Sequence, residues 1–303
     1  MGRFTRGHLL AALIAVVAVV ALVTVTLVAV SPDSSRSAEK PRVKPVYVAM
    51  GSSFASGVGD GKDINKPCSR TKNNYPHRLA KKAHLKLTDV TCAGATTRNI
   101  LEPDPEHPDR PVQINAVTPK TQLVTITVGG NDIAYVPRTG TASCANILTG
   151  QVPSEPNPHC ERLVWPSPFP TPESYQHVEQ SMIDVVHQIH ALAPKAKVLL
   201  VEYLPVVSPD APPCPALPLE PWQVVETAQV GDQLSQATQR AAAASGATFV
   251  SMSEGKDHTV CSKQPWVRGY GDRIPYHPNP AGNQAVADRV AQELAKDPVT
   301  TDG

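Results

Sequence analysis

Apolar residues along this chain fall into three patterns. The first is an almost unbroken apolar run over residues 9–30 with no polar face, preceded by Arg3 and Arg6. The second is a set of short apolar stretches, at 46–50, 89–92, 122–128, 197–203 and 248–252, each stopping at glycine, proline or polar residues. Stretches of this length, bounded by turn formers, predict buried strands. The third pattern has helical spacing: Tyr75, Leu79 and Ala83 within 74–87; Val178, Met182, Val185, Val186 and Ile189 within 174–192; an alanine-rich stretch at 222–244; and 280–294, which opens on Pro280. Proline in a first helical turn costs nothing, because its missing N–H has no partner there.

Strands alternating with helices predict βαβ units and an α/β fold with a mostly parallel, doubly wound sheet of five strands. Ligands on such sheets bind beyond the carboxyl ends of the strands. Ser53, Gly94 and Asn131 each stand just past a predicted strand end, so they are expected on one rim. The prolines, 31 in all, cluster at 137–172 and 205–221. Both stretches read as loops, and as the expected walls of a pocket.

The run at 9–30 is long enough to cross roughly 30 Å of hydrocarbon as a helix. Its arginines predict a cytoplasmic N-terminus (1–8) with the remainder outside. An uncleaved membrane anchor is expected ahead of a removed signal peptide, because the run exceeds the usual length of a signal core and Val28-Ala29-Val30 is a poor cleavage site. Residues 31–44 are polar and read as a linker, 45–296 as one catalytic domain, and 297–303 as a tail. The net charge of +1 argues against nucleic acid as the main partner, which would need a concentrated basic surface. The six cysteines, Cys68, Cys92, Cys144, Cys160, Cys214 and Cys261, all follow the apolar run, on the oxidising side. An even count there predicts three disulfides, with fifteen connectivities open. No Cys-x-x-Cys pair is present, and no spacing points to a metal or another cofactor. His187 and His190 are expected on a solvated helix face, and His258 in loop packing.

The candidate chemistry lies at the rim. Acyl transfer needs a nucleophile, a base and donors for the developing oxyanion. Ser53, in Gly51-Ser52-Ser53, supplies a hydroxyl at a tight turn and its own N–H. Gly94 supplies a backbone N–H with no side chain in the way. Asn131 supplies a carboxamide N–H. His277 is the base, held extended by Pro278. The elbow Gly-x-Ser-x-Gly of ordinary α/β-hydrolases does not fit, since Ala55 stands where the second glycine belongs and the serine follows the first strand.

These four blocks, Gly51-Ser52-Ser53, Gly94, Gly130-Asn131-Asp132 and His277, resemble in type and order the signatures of the SGNH (GDSL-type) hydrolases over roughly residues 45–295. The segment Cys261-Ser262-Lys263-Gln264-Pro265-Trp266 is similar to one in the family's secreted actinobacterial esterases and lipases. The resemblance implies a three-layer α/β/α flavodoxin-like fold and hydrolysis of carboxylic esters. It also implies the disulfides Cys68–Cys92, Cys144–Cys160 and Cys214–Cys261. Two positions depart from the family pattern: Ser52 replaces the aspartate before the nucleophile, and Ile274 stands where a carboxylate often precedes the histidine by three. Some of the resembling secreted esterases use the backbone carbonyl at that position, so the resemblance makes the Ile274 carbonyl the expected acceptor for the imidazole, with the Asp272 side chain as the alternative. The leading function is an extracytoplasmic esterase or lipase acting on lipid or small acyl esters, tied to the membrane by its N-terminal segment or secreted. The alternatives are a polysaccharide or cell-wall O-deacetylase and an inactive envelope-binding scaffold.

Overall fold

The computed structural model describes residues 43–151, 160, 168–210 and 212–299. The apolar run at 9–30, most of the linker and the end of the tail lie outside the described residues. Among the described residues, no helix is long and apolar enough to cross a membrane.

The elements follow in this order. Strand β1 (Val46–Gly51) leads into the helical turn α1 (Ser53–Ser56). A small antiparallel ribbon, β2 (Asp63–Asn65) and β3 (Arg70–Thr71), comes next. Helix α2 (Tyr75–Lys82), strand β4 (Lys86–Asp89) and the short helix α3 (Arg98–Leu101) precede β5 (Leu123–Thr127). Helices α4 (Tyr135–Leu148) and α5 (Pro172–Leu192) separate β5 from β6 (Lys197–Val201). Helix α6 (Pro221–Ser245), β7 (Thr248–Val250) and α7 (Pro280–Lys296) close the domain.

The large sheet is five-stranded, with order β4-β1-β5-β6-β7, and every pairing in it is parallel. Helices α2 and α7 pack on each other, as do α5 and α6. Central strand β5 is buried throughout and β1 at every position after Val46, as strands covered on both faces must be. After β1 the chain moves outward to β4 and then returns to β5 on the other side of β1. The strand order therefore reverses between β1 and β5, where such sheets form their ligand crevice.

Two sequence expectations shift. The second strand lies at Lys86–Asp89, not 89–92. As an edge strand it alternates between exposed and half-buried positions, so it lacks the continuous apolar run that marks the central strands. Residues 90–92 nevertheless keep following β1, since Val90 N–H donates to the Ala49 carbonyl and Cys92 N–H to that of Gly51 (3.0 and 2.9 Å). The second shift is at 135–148, read as the start of a proline-rich loop but folded as α4. Pro137 occupies the first turn of that helix, where a missing N–H breaks no bond. Helix starts elsewhere are capped as their sequences suggest: Asn74 accepts from His77 N–H, and Asn279 from Gly282 N–H.

All six cysteines are joined, as Cys68–Cys92, Cys144–Cys160 and Cys214–Cys261. This is the pairing the resemblance implies.

Candidate active site

Gly51 ends β1 with φ +131°, and a Cβ there would lie 2.3 Å from the Thr127 carbonyl oxygen of the neighbouring strand. Only glycine fits this close approach. Its N–H and carbonyl are both bonded by the Gln113 carboxamide (2.8 and 3.1 Å), which fixes the turn from below. The next N–H, of Ser52, donates to the Thr127 carbonyl (2.9 Å). Ser53 is thereby delivered as the first residue of α1, and Gly57, left-handed at φ +72°, ends that turn.

His277 arrives from the far end of the chain. Its Nε2 lies 2.9 Å from Ser53 Oγ, and its Nδ1 lies 2.8 Å from the Pro275 carbonyl oxygen. A carbonyl only accepts, so Nδ1 carries the proton and Nε2 is left with the lone pair that faces the serine hydroxyl. The acceptor is thus a main-chain carbonyl, but that of Pro275 and not of Ile274. The reason is Tyr276, whose φ of +62° is rare for a bulky residue. This left-handed residue folds the chain back so that the carbonyl two before the histidine meets the ring. The Tyr276 side chain is fully buried, and its hydroxyl meets Ser143 Oγ of α4 at 2.6 Å. The alternative, Asp272, is engaged elsewhere: its Oδ2 accepts from Gly269 N–H at 3.0 Å.

Burial pushes the His277 imidazole down to about 4, with Arg268 acting in the same direction and the Pro275 carbonyl opposing both. Among the described residues no carboxylate pairs with the imidazolium, and a pKa of about 4 leaves the ring neutral at ordinary pH. Phe54 flanks it, with ring centroids 5.5 Å apart.

Gly94 and Asn131 meet beside the serine. Gly94 adopts φ +85°, and Asn131 donates one Nδ2 hydrogen to the Ala95 carbonyl (2.9 Å). A carboxamide carries two such hydrogens, so one remains. Asp132 fastens the same two loops together, accepting from the Thr97 N–H (3.1 Å) and hydroxyl (2.5 Å). Burial raises the Asp132 pKa, and the Thr97 bonds oppose the rise.

Ser52, where the family pattern has aspartate, is fully buried and its Oγ lies 2.5 Å from the Tyr203 hydroxyl. Gly130 packs against the same phenol, where an added Cβ would lie 2.7 Å from the ring. Tyr203 thus bridges the Ser52-Ser53 and Gly130-Asn131 turns. Neither Tyr203, Gln113 nor Tyr276 was singled out from sequence. Tyr203 and Gln113 lie far along the chain from the residues they hold and carry no local motif. The positive φ of Tyr276 leaves no signal, because the residue type argues against it.

Ser53, Gly94, Asn131 and His277 border a cavity of about 390 Å³ whose remaining walls include Val58, Val136, Pro137, Gly140 and Ile274. Among the described residues, no group of three or more His, Cys, Asp or Glu is placed to hold a metal. His258 stacks on Trp266, with centroids 4.0 Å apart.

A parallel sheet with a serine and a histidine paired over its switch point defines a hydrolase of the α/β/α class. The family model described as "GDSL-like Lipase/Acylhydrolase family" matches residues 49–285, and the chain belongs to that family. Among its relatives, "Lipase 2" of Streptomyces coelicolor is 30% identical over 289 residues, covering 90% of this chain and 94% of the relative. "Lipase 1" of the same organism is 27% identical, covering 84% and 88%. Of solved structures, the phospholipase A1 of Streptomyces albidoflavus NA297 and the extracellular lipase of Streptomyces rimosus each superpose with a TM-score of 0.62 at 23% identity. They cover 83% and 82% of this chain and 99% of their own, a likeness of fold. The chain is a carboxylic-ester hydrolase of the esterase/lipase kind.

Proposed function

We propose that this protein is an extracytoplasmic serine esterase that works through an acyl-Ser53 intermediate. The observation that carries the reading is the Ser53 Oγ–His277 Nε2 approach of 2.9 Å, with the opposite ring nitrogen held by a carbonyl. In the first half-reaction Nε2 takes the Ser53 hydroxyl proton as Oγ attacks the ester carbonyl carbon. The oxyanion forms against the N–H groups of Ser53 and Gly94 and the second Asn131 amide hydrogen. The imidazolium then gives its proton to the departing alcohol as the C–O bond breaks. Water repeats the sequence on the acyl-enzyme: Nε2 takes its proton as the hydroxyl adds to the acyl carbon, and the imidazolium returns a proton to Ser53 Oγ as the acyl C–Oγ bond breaks and the carboxylic acid leaves.

The cavity's walls favour an acyl chain over a polar glycan, since Val58, Val136, Pro137 and Ile274 offer apolar surface. Export is supported by the N-terminal arginines and apolar run, by the fully paired cysteines, and by the extracellular lipase among the similar structures. Whether the run stays as an anchor is read by N-terminal sequencing of the exported protein.

The test of the reaction sets p-nitrophenyl esters against acetylated glycans. Turnover of the former by the wild type, abolished in Ser53→Ala with circular dichroism unchanged, is expected. Release of acetate from glycan with no hydrolysis of longer esters would replace this reading with the deacetylase.

A further inference from the structure

Helix α4 contributes one continuous face to the cavity beside Ser53, through Val136, Gly140 and Cys144. These are four apart, the spacing that stacks side chains on one side of a helix. Gly140 stands at the middle of that face, and nothing among the described residues requires it. It lies inside a helix, not among the glycines with positive φ. A Cβ built on it meets nothing within 4 Å. The contrast with glycines of the neighbouring strand-end turns is sharp, for a Cβ on Gly51 would strike backbone at 2.3 Å and one on Gly130 the Tyr203 ring at 2.7 Å. Glycine within a helix is less favourable than alanine. At Gly140 no packing or conformational gain offsets that cost. What its absent side chain leaves is open space in the cavity wall.

Resting on the esterase reading above, we propose that Gly140 sets the acyl-chain selectivity of this enzyme by keeping the α4 wall of the pocket open to longer chains. The wall is well placed to measure length, because it is locked to the loop that carries the histidine. Ser143 meets the Tyr276 hydroxyl at 2.6 Å, and Cys144 is bonded to Cys160, whose sulfur lies 2.9 Å from the Tyr270 hydroxyl. A side chain added at Gly140 therefore takes its space from the substrate and not from a yielding wall.

The test compares wild type, Gly140→Ala and Gly140→Leu on p-nitrophenyl acetate, butyrate, octanoate and decanoate. Active sites are counted with a fluorophosphonate. The ratio of kcat/KM for decanoate to that for acetate is expected to fall about tenfold or more in Gly140→Leu, the scale on which a pocket discriminates by a few methylenes, and by less in Gly140→Ala. Because alanine is the better helix former, Gly140→Ala should also raise Tm, by roughly 2–4 °C for a domain of this size. A lowered Tm in Gly140→Ala would show that packing demands the glycine and would overturn the proposal. So would an unchanged ratio in Gly140→Leu while Ser53 still takes the phosphonate. A wild type that neither takes the phosphonate nor hydrolyses esters would overturn the esterase reading itself.

Discussion

Ser53, Gly94 and Asn131 stand at the ends of chain segments that are hydrogen-bonded to their neighbours in register: β1 against β5 up to the Gly51–Thr127 pair, and residues 90–92 along β1. His277 stands on an irregular stretch tied down by separate contacts: the Val267–Pro278 bridge, Arg268 N–H to the His277 carbonyl, and the buried Tyr276. On the first side, precision is inherited from a sheet whose register a one-residue slip would ruin. On the second, it depends on those separate contacts and on the left-handed backbone of Tyr276. The serine side is a consequence of the fold, whereas the histidine side has to be assembled on it.

Four substitutions or conditions probe this contrast, the largest expected effect first. Asn131→Ala removes a donor from the sheet-built side, where the geometry leaves nothing to replace it. A loss of about 10²–10³ in kcat is expected, the usual scale for one oxyanion donor; a change confined to KM would reduce Asn131 to a substrate contact.

On the histidine side, the pH profile comes next. Protonated His277 cannot accept the serine proton, so activity falls as pH drops through its pKa. Burial holds that pKa near 4, below the ordinary value of about 6.5. The acid limb of kcat/KM should therefore lie well under pH 6, with activity retained where an exposed histidine would already be charged. A limb at pH 6.5 or above would mean that a negative charge supports the ring after all.

Tyr276→Phe keeps the ring that fills the core but removes the hydroxyl bonded to Ser143. A buried hydrogen bond of this kind contributes about 0.5–1.5 kcal/mol, so Tm should fall by a few degrees, with a modest loss of kcat as the left-handed turn loosens. An unchanged Tm would mean that the turn holds without this contact.

The smallest effect is expected for Asp272→Asn. Because the acceptor for Nδ1–H is the Pro275 carbonyl, kcat should stay within a few-fold. A drop of roughly 10⁴, as when a triad aspartate is neutralised in a serine protease, would make Asp272 the third member.

The same contrast explains what the sequence disclosed. Strands β1 and β5 are short apolar runs ended by glycine, and their period and punctuation suffice to place Ser53 and Asn131 on one rim. The edge strand β4 was displaced by three residues because its half-exposed pattern carries little signal. Helix α4 was hidden by Pro137, which argues for a loop unless the helix is known to start two residues earlier. On the histidine side, the expectation of a main-chain acceptor at Ile274 came from the resemblance to secreted esterases, some of which use a backbone carbonyl at that position. Its position was off by one because a left-handed tyrosine cannot be read from residue type. Tyr203 and Gln113 bond residues 151 and 62 positions away in the chain, and nothing local marks either.

The central claim is that Ser53 is a nucleophile activated by His277, and peptide mapping of a fluorophosphonate adduct tests it most directly. The account predicts a single covalent adduct on the peptide carrying Ser53 in the wild type, none in Ser53→Ala, and labelling slowed by orders of magnitude in His277→Ala. An adduct on any other serine, or labelling of Ser53 at an undiminished rate without His277, would contradict it.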